Sequence, residues 1–560
     1  MVRHINNQNI TWSAFTAILL HHLGIRYACI SPGARNSPLT YTFTEKSGIT
    51  CFSHVDERSS AFFALGLAKS SLSPVVLIST SGTAPANFYP AVIEASLSRI
   101  PLIILSADRP NYLVGSGANQ TINQQNLYGN HVRYFEDVGL PTEKMDDLKK
   151  YLIIAFQNSV GYTLKYPPGP VHLNFPFDEP LLPEKLDKVD LFTFGLNSKP
   201  KMKLNFQIPI LQNAKRPLII AGPMEGNSHQ KDMIAFGEKI NAPILADPLS
   251  QLRYGFDSKL ILSHYDIFCR YTKLQPDLII RFGRKPTSKI LCQLLKKWRN
   301  ITILIDAWQK FNDDSSHSIQ SSISQYCREQ LQNVIWEGGS NWVNQLLSLE
   351  SIVENEIQGN DTFHEGNIIK ICLKSIQDKG CFIIGNSMPI RNVDMFTSTS
   401  KKLIHTYSNR GASGIDGVIS TALGISLEKN TNNALLIIGD LSFYHDMNGL
   451  LALKYGMNIS IVVINNKGGG IFSFMPISNS GLKKYDLFWT TDTCLDIEKV
   501  AHLYNCRYYL SKDLNELGNN IQESFNIKGV KIIEVKTIID ENITAHKILL
   551  DNVQRLISEI

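Results

Sequence analysis

Short runs of apolar, β-branched residues alternate with helix-length amphipathic stretches along most of this chain. A parallel sheet covered by helices on both faces produces this alternation, because its strands are apolar throughout while each covering helix needs only one apolar face. The pattern therefore predicts an α/β protein with doubly wound parallel sheets. The runs that predict strands are residues 27–31, 74–79, 101–106, 217–221, 243–246, 277–281, 301–305, 381–384, 434–438, 459–464 and 530–535.

Breaks in this pattern divide the 560 residues into segments of similar size. Proline-rich residues 166–170 and the Pro-, Lys- and Asp-bearing stretch 181–201 mark the first boundary, and we expect the second near residues 350–363. Helices are expected at residues 59–70 and 87–97. Each segment is predicted to form its own doubly wound parallel-sheet domain, with bounds 1–185, 200–350 and 360–560.

Composition favours a folded, soluble chain. Hydrophobic residues make up 43% and charged residues 19% of the sequence, and Lys plus Arg exceed Asp plus Glu by only 55 to 50. So small and scattered an excess argues against nucleic-acid or membrane-surface partners, but permits a local basic pocket for a small anion. The N-terminus lacks a signal-peptide core, no stretch approaches a membrane span, and nine scattered cysteines favour reduced thiols. We therefore expect a cytoplasmic protein.

The most specific local pattern spans residues 437–471, where two apolar strands each end in polar residues. Asp440 follows the first strand and Asn466 the second, with one helix-length stretch between them. Because parallel strands share an edge, this spacing can bring a carboxylate and an amide oxygen together, a hard-oxygen set that suits Mg²⁺. The glycines at 468–470 would let the backbone approach a diphosphate closely. We favour a diphosphate–metal site over an ordinary glycine-rich turn.

This arrangement resembles the Mg²⁺–diphosphate motif of thiamine-diphosphate enzymes. The resemblance implies a glutamate that exchanges a proton with N1′ of the aminopyrimidine ring, and the candidate is Glu57 in the sequence HVDER at residues 54–58. Contact with an apolar ring should raise the pKa of such a glutamate. On the residues alone, a first-turn helix position favoured by the helix dipole is the simpler interpretation of Glu57.

A series of further motifs is more specific. In chain order they are SPGARNSP (31–38), DER (56–58), TSGTA (80–84), ADRP (107–110), GANQ (117–120), GNS (385–387), NRGASGID (409–416) and GDLS (439–442). Together they resemble the 2-succinyl-5-enolpyruvyl-6-hydroxy-3-cyclohexene-1-carboxylate synthases, thiamine-diphosphate enzymes of menaquinone biosynthesis. The similarity covers most of the first and third segments and is weak in the middle one.

The resemblance implies a transferase that decarboxylates 2-oxoglutarate and adds the resulting carbanion to isochorismate, with thiamine diphosphate and Mg²⁺ or Mn²⁺ as cofactors. It also implies a homodimer or homotetramer with active sites at the subunit interface. Both substrates are dianions, so arginine forks are the expected partners of their carboxylates. Arg391 and Arg410 are catalytic candidates beside Glu57, and Arg35 and Arg109 are substrate-binding candidates.

The same resemblance assigns the remaining site residues. The other substrate-binding candidates are Asn119, Gln120, Lys289 and Phe472. The cofactor-binding candidates are Glu57, Ser387, Ile415, Gly439, Asp440, Leu441, Ser442, Asn466 and Ile471. The metal-binding candidates are Asp440, Asn466 and Gly468. Two features are unusual: Ala34 stands where the family commonly has serine, and Lys467 lies inside the metal loop.

Two alternative functions stay open. Another 2-oxo-acid decarboxylase or carboligase, such as an acetolactate synthase relative, would use pyruvate and often carry FAD, but monoanionic pyruvate needs fewer arginines than this chain supplies. A catalytically silent relative would be expected to lack Glu57, Asp440 or Asn466, and all three are present.

Overall fold

In the part of the chain that the structure describes, three parallel sheets of six strands each form the framework, which confirms the predicted α/β class. The computed structural model describes residues 7–142, 144–161, 167–182, 209, 211–226 and 228–559. Contacts divide the chain into two compact units: residues 1–203, 409–429 and 446–455 form the first, and residues 204–408, 430–445 and 456–560 form the second. The predicted gap between the first two domains, 185–200, lies outside the described residues, and the three domain bounds stay predictions.

The first unit contains the first sheet. Its elements are α1 (Gln8–His22), β1 (Tyr27–Ile30), α2 (Ser37–Lys46), β2 (Thr50–Ser53), α3 (Glu57–Ser71), β3 (Val75–Ser79), α4 (Ala84–Asn87), α5 (Tyr89–Ser98), β4 (Leu102–Asp108), β5 (Phe135–Asp137), α6 (Met145–Val160) and β6 (Val171–Pro176). The strand order is β2-β1-β3-β4-β6-β5. Every residue of β3 and β4 is buried, as expected for strands covered on both faces.

The second unit begins with the second sheet. Its elements are β7 (Pro217–Ala221), α7 (Gln230–Lys239), β8 (Ile244–Ala246), β9 (Ile261–Leu262), α8 (Tyr265–Tyr271), β10 (Leu278–Phe282), α9 (Lys289–Lys297), β11 (Thr302–Ile305), β12 (His317–Ile319), α10 (Ile323–Asn333) and α11 (Ser340–Gln358). The strand order is β12-β11-β10-β7-β8-β9.

The predicted second linker, residues 350–363, is wrong for residues 350–358, because they belong to α11. Leu346, Leu349, Val353 and Ile357 recur at helical spacing and are all buried, so one apolar stripe holds this helix against the core. Several polar residues between them, such as Ser351 and Asn355, are exposed, and they give the segment the composition of a linker.

The third sheet completes the second unit. The elements of this region are α12 (Glu365–Ser375), β13 (Gly380–Ile384), α13 (Met388–Phe396), β14 (Ile404–Tyr407), α14 (Val418–Lys429), β15 (Ala434–Gly439), α15 (Asp440–His445), β16 (Ile459–Asn465), α16 (Ile497–Leu503), β17 (Arg507–Ser511), α17 (Leu514–Phe525), β18 (Val530–Lys536) and α18 (Ile539–Ser558). The strand order is β14-β13-β15-β16-β18-β17. Helix α14 alone among these belongs to the first unit.

The sequence also led to expectations about membrane spans and the state of the cysteines. In the described part of the chain, no helix is both long and apolar enough to cross a membrane. The nine cysteines all lie in described segments and form no disulfide with one another.

Helices α3 and α14 cross closely in the first unit because each has a glycine at the crossing. A Cβ atom on Gly66 would lie 2.1 Å from the carbonyl oxygen of Thr421, and one on Gly424 would lie 2.2 Å from the carbonyl oxygen of Phe63. Only residues without a side chain permit this approach. The crossing holds the helix that starts at Glu57 against the helix that follows the NRGASGID segment.

Gly66→Ala should lower the melting temperature, since the added methyl group meets backbone atoms that cannot move aside. Overpacking of this kind costs roughly 1–3 kcal/mol, which corresponds to a fall of about 2–10 °C for a unit of this size. Gly518→Ala in α17 is the matched control, because its Cβ would meet only one side-chain atom, at 3.7 Å. Differential scanning calorimetry of both variants measures the effect, and equal melting temperatures would contradict the steric argument.

Candidate active site

The carboxyl ends of β13, β15, β16 and β18 lie side by side at one edge of the third sheet. Gly439, the last residue of β15, pairs with Ile464 of β16, so Asp440 and Asn466 follow neighbouring strands at the same level. The strand order reverses between β13 and β15, which makes this edge a topological switch point. Ligands of open α/β sheets bind at such points.

Asp440 is fixed by the loop that follows β16. Its side chain is buried, Oδ1 accepts a hydrogen bond from the backbone N–H of Leu441 at 2.8 Å, and Oδ2 accepts one from Gly468 at 2.8 Å. Burial raises the pKa of Asp440 to about 6, against the opposing effect of these two N–H groups. Gly468 has φ +134°, and a Cβ there would lie 2.0 Å from the carbonyl oxygen of Thr490, so the loop requires glycine.

Asn466 presents an unsatisfied acceptor at this edge. Its Nδ2 donates to Oε1 of Glu365 at 2.9 Å, whereas its Oδ1 is buried and has no hydrogen-bond partner. Leaving a buried acceptor unpaired costs about 1–3 kcal/mol, and a bound cation would remove that cost. A Cβ on Gly439 would meet no atom within 4 Å, which leaves room beside the two oxygens. These residues fit a divalent cation with a diphosphate.

Most of the donors at such a site would come from water and phosphate. Within the described residues, no group of three His, Cys, Asp or Glu side chains could hold a metal ion. Mg²⁺ commonly binds one or two protein oxygens and completes its shell with water and phosphate oxygens, so this small donor set suits it.

The other candidates of the second unit surround the same loops. Leu441 and buried Ser442 lie in α15, Ile471 and Phe472 lie half-buried in a short 3₁₀ helix, Gly470–Phe474, and exposed Lys467 precedes Gly468. Lys289 belongs to a different sheet from these candidates. It is the exposed first residue of α9, on the second sheet, and within the described residues no hydrogen bond links it to the other candidates.

Ser387 and Arg391 come together at the start of α13, directly after β13. Ser387 has φ +68°, an uncommon conformation for a residue with a side chain. Its carbonyl oxygen accepts a hydrogen bond from Nη1 of Arg391 at 2.5 Å. Backbone strain of this kind often accompanies a functional loop, and this loop follows β13, which pairs with β15, the strand that precedes Asp440.

Glu57 is the first residue of α3 in the first unit. Asp56 caps this helix by accepting a hydrogen bond from the backbone N–H of Ser59 at 3.2 Å. Glu57 is half-buried, and burial raises its pKa, with a further increase from the neighbouring Asp56. This is the direction that the sequence argument expected of a carboxyl group that exchanges protons near neutral pH.

Four of the substrate-binding candidates meet at the carboxyl edge of the first sheet. Nη1 of Arg109, after β4, donates to Oγ of Ser81 at 2.5 Å and to the carbonyl oxygen of Gln120 at 3.1 Å. Exposed Asn119 precedes Gln120 in the same turn. Arg35 is buried and donates to the carbonyl oxygen of Phe177 at 3.0 Å.

The two arginines of this edge repel one another. Burial and the charge of Arg35 both lower the pKa of Arg109, with burial the larger effect. Arginine stays charged at neutral pH, so a negatively charged group bound here would relieve the repulsion. The exposed carboxylate of Glu179 already forms an ion pair with Arg35 at 3.4 Å, which shows that the arginines of this edge accept a carboxylate partner.

A buried glutamate that the sequence did not single out holds the NRGASGID segment. Glu94, on α5, accepts hydrogen bonds from the backbone N–H groups of Gly411 at 2.8 Å and Ala412 at 2.7 Å, with a longer one from Ser413 at 3.4 Å. The hydroxyl of Ser98 donates to the same carboxylate at 2.6 Å. One side chain therefore fixes the backbone between the candidates Arg410 and Ile415.

Glu94→Gln should loosen this segment, because the amide group of glutamine would turn a donor toward backbone donors. Losing hydrogen bonds to a charged acceptor costs roughly 1.5–3 kcal/mol, so local opening should rise about tenfold or more. Limited trypsin digestion, followed at the bond after Arg410, measures that opening.

Glu428→Gln is the matched control for this test. Glu428 lies in α14 of the same unit and accepts hydrogen bonds from the side chains of Arg26 and Tyr27 rather than from the segment. Equal cleavage rates after Arg410 in the two variants would exclude a positioning role for Glu94.

Comparison with known proteins agrees with this geometry. The N-terminal TPP-binding domain of thiamine pyrophosphate (thiamine diphosphate) enzymes matches residues 10–127, the middle domain of this class matches 206–383, and the C-terminal TPP-binding domain matches 393–535. Curated relatives cover nearly the whole chain, and three of them are named 2-succinyl-5-enolpyruvyl-6-hydroxy-3-cyclohexene-1-carboxylate synthase. The relative from Listeria innocua serovar 6a is 39% identical, over 95% of this chain and 95% of the relative. The relative from Listeria monocytogenes serotype 4b is 40% identical, over 94% of both chains. The relative from Geobacillus kaustophilus is 37% identical, over 98% of this chain and 99% of the relative.

The chain belongs to this synthase family. The family resemblance stated from the motifs is confirmed, and so is the assignment to thiamine-diphosphate enzymes. Membership in the synthase family makes the chain an enzyme of the transferase type. The matches extend across the middle domain, where the sequence motifs alone were weak.

Proposed function

We propose that this chain forms 2-succinyl-5-enolpyruvyl-6-hydroxy-3-cyclohexene-1-carboxylate from 2-oxoglutarate and isochorismate in menaquinone biosynthesis. The proposal includes bound thiamine diphosphate with Mg²⁺ or Mn²⁺. It is supported by the names of relatives that cover nearly the whole chain. The structural observation that carries it is the buried, unpaired Oδ1 of Asn466 beside Asp440 at the switch point of the third sheet.

Each residue of the proposed cofactor site has a role that its own local geometry supports. Asp440 and Asn466 supply oxygens to the cation, and the Gly468 backbone completes the loop that holds them. Gly439, Leu441 and Ser442 line the space for the diphosphate, while Ser387, Ile415 and Ile471 contact the rest of the cofactor. When bound, thiamine diphosphate supplies a thiazolium carbon that acts as nucleophile and electron sink.

Glu57 is proposed to hold and return a proton at the aminopyrimidine ring. The helix dipole at the start of α3 and the neighbouring Asp56 act on this carboxyl group in opposite directions, and burial raises its pKa overall. A carboxyl group with a raised pKa exchanges protons more readily near neutral pH than one in water.

The arginines are proposed to bind the carboxylates of the two dianionic substrates. Arg35 and Arg109, with Asn119 and Gln120, form one basic group in the first unit, where an anion would offset the repulsion between the guanidinium groups. Arg391 and Arg410 supply further charge, and Lys289 and Phe472 complete the proposed contacts. Each guanidinium can donate two parallel hydrogen bonds to one carboxylate, which fixes orientation as well as charge.

The proposal also covers the assembly and location of the protein. We propose a homodimer or homotetramer with active sites at the subunit interface, and a location in the cytoplasm. Both parts of this proposal rest on the resemblance to the synthase family. The domain bounds 1–185, 200–350 and 360–560 belong to the same proposal.

The experiment that tests this function follows the loss of isochorismate with 2-oxoglutarate, thiamine diphosphate and Mg²⁺ all present. Matched samples omit each component in turn, and one replaces 2-oxoglutarate by pyruvate. We expect consumption only in the complete mixture, with the new product identified by mass spectrometry. Consumption with pyruvate would instead favour the acetolactate-synthase type of reaction, and thermal stabilisation by the cofactor without any consumption would point to other substrates.

Glu57→Gln should retain binding of thiamine diphosphate but lose turnover by about 10²–10⁴-fold, since the amide cannot exchange the required proton. Steady-state rates and calorimetric titration with thiamine diphosphate separate the two effects. Glu45→Gln, an exposed change on α2, is the control and should leave both unchanged. A Glu57→Gln enzyme with wild-type turnover would remove Glu57 from the mechanism.

A further inference from the structure

We propose that Glu365 is the positioning residue of the cation site, because it determines which end of the Asn466 side-chain amide faces the cation. This inference rests on the cation site of the proposed function. It assigns a role to a residue that belongs to none of the motifs from which the site was predicted.

Glu365 is the first residue of α12, and only 1% of its surface is exposed. Donors from three separate elements converge on its carboxylate. Oε1 accepts from Nδ2 of Asn466 at 2.9 Å and, at 3.5 Å, from the hydroxyl of Thr537 after β18. Oε2 accepts from Nδ2 of Asn392, on α13, at 3.2 Å.

The chemistry of the pair explains the orientation of the amide. An asparagine side chain has a donor end and an acceptor end of nearly equal shape, so packing alone distinguishes them poorly. An ionised carboxylate only accepts hydrogen bonds, so Glu365 attracts the NH₂ group of Asn466 and repels its oxygen. The oxygen is thereby left at the opposite end of the amide, where it is buried and unpaired. A reversed amide would offer the cation a donor in place of a ligand.

The ionised form of Glu365 is the one that its surroundings match. Burial raises the pKa of this carboxyl group, and the hydrogen bonds from Asn466, Asn392 and Thr537 offset only part of that rise, so support for the ionised form comes from the donors that surround it. The two asparagine donors bind different oxygens, so both oxygens of the carboxylate are occupied as acceptors.

The same carboxylate connects the cation loop to the helix that carries Arg391. Asn392 follows Arg391 in α13 and is completely buried, so its bond to Glu365 fixes the inner face of this helix. Glu365 thus fixes the position of the loop after β16 relative to the start of α13. Both segments carry candidates for the active site.

A purely structural role for Glu365 makes a different prediction. The cap of α12 is formed by His364, whose Nδ1 accepts from the backbone N–H of Gly366 at 3.1 Å, so Glu365 is not required as the cap. If Glu365 only stabilised the fold, its removal would lower the melting temperature and leave the affinity of the folded protein for the metal unchanged.

The test measures Mn²⁺ binding to the full chain by electron paramagnetic resonance with saturating thiamine diphosphate. Glu365→Gln should weaken Mn²⁺ binding by about 10–100-fold, as is typical when a group that orients a metal ligand is lost. Glu350→Gln is the matched control. Its carboxylate accepts from the backbone N–H groups of Ser263 and His264 and touches none of the cation-site residues. It should lower only the melting temperature.

A double variant keeps the test decisive if Glu365→Gln folds poorly. In the double variant Glu365→Gln with Asn466→Asp, the glutamine supplies the NH₂ donor and the aspartate supplies the accepting oxygen. Because both ends of the aspartate side chain are oxygens, its second oxygen still faces the cation. This double variant should bind Mn²⁺ at least tenfold more tightly than Glu365→Gln or, if that variant is unfolded, should restore both folding and Mn²⁺ binding. Failure to do either would overturn the orientation argument.

The outcomes separate this inference from the proposed function. If the wild-type protein binds Mn²⁺ and Glu365→Gln binds it equally well, the role of Glu365 is overturned and the cation site stands. If the wild-type protein binds no Mn²⁺ in the presence of thiamine diphosphate, the cation site and the inference both fail.

Discussion

The hydrogen bond from the backbone of Gly468 to Asp440 is the contact on which the candidate cation site depends. It joins the end of β15 to the loop after β16, and it forms because those strands are neighbours in register. The register itself comes from two runs of buried aliphatic residues, so the polar site is aligned by an apolar sheet. Buried carboxylates are costly, and Asp440 illustrates the cost through its raised pKa. A bound cation would offset part of this cost.

The central strands could be predicted from the sequence because burial on both faces requires continuous apolar residues. Each predicted run is a strand, with ends that differ by at most two residues. The strands that were not predicted include the edges of every sheet: β2, β5, β9, β12, β14 and β17. These edge strands are short, and β2, β5, β12 and β17 are largely exposed or half-buried, so they need no long apolar run. The interior strand β6 was missed for another reason, since His172 and Asn174 interrupt it and bond to Ser106 inside the core.

The candidate site likewise contains residues that local sequence patterns reveal and residues that they do not. Asp440 and Asn466 could be proposed together because each directly follows a strand that the sequence pattern reveals, whereas Glu57 became a candidate only through the family resemblance. Glu94 and Glu365 could not, because their partners are 317 and 101 positions away in the chain. A buried glutamate in a helix looks the same in sequence as an exposed one. Lys289 shows the opposite case, because the family resemblance suggested it, while no hydrogen bond in the described residues links it to the other candidates.

The first unit is assembled from three separate stretches of chain, and its last stretch ends only at residue 455. Helix α14, which crosses α3 at Gly66, is therefore synthesised long after the first sheet. On the ribosome, the face of α3 that awaits this partner stays uncovered while the whole second sheet is being made. The glycine crossing that holds the two helices together thus also sets when the first half of the protein can finish folding.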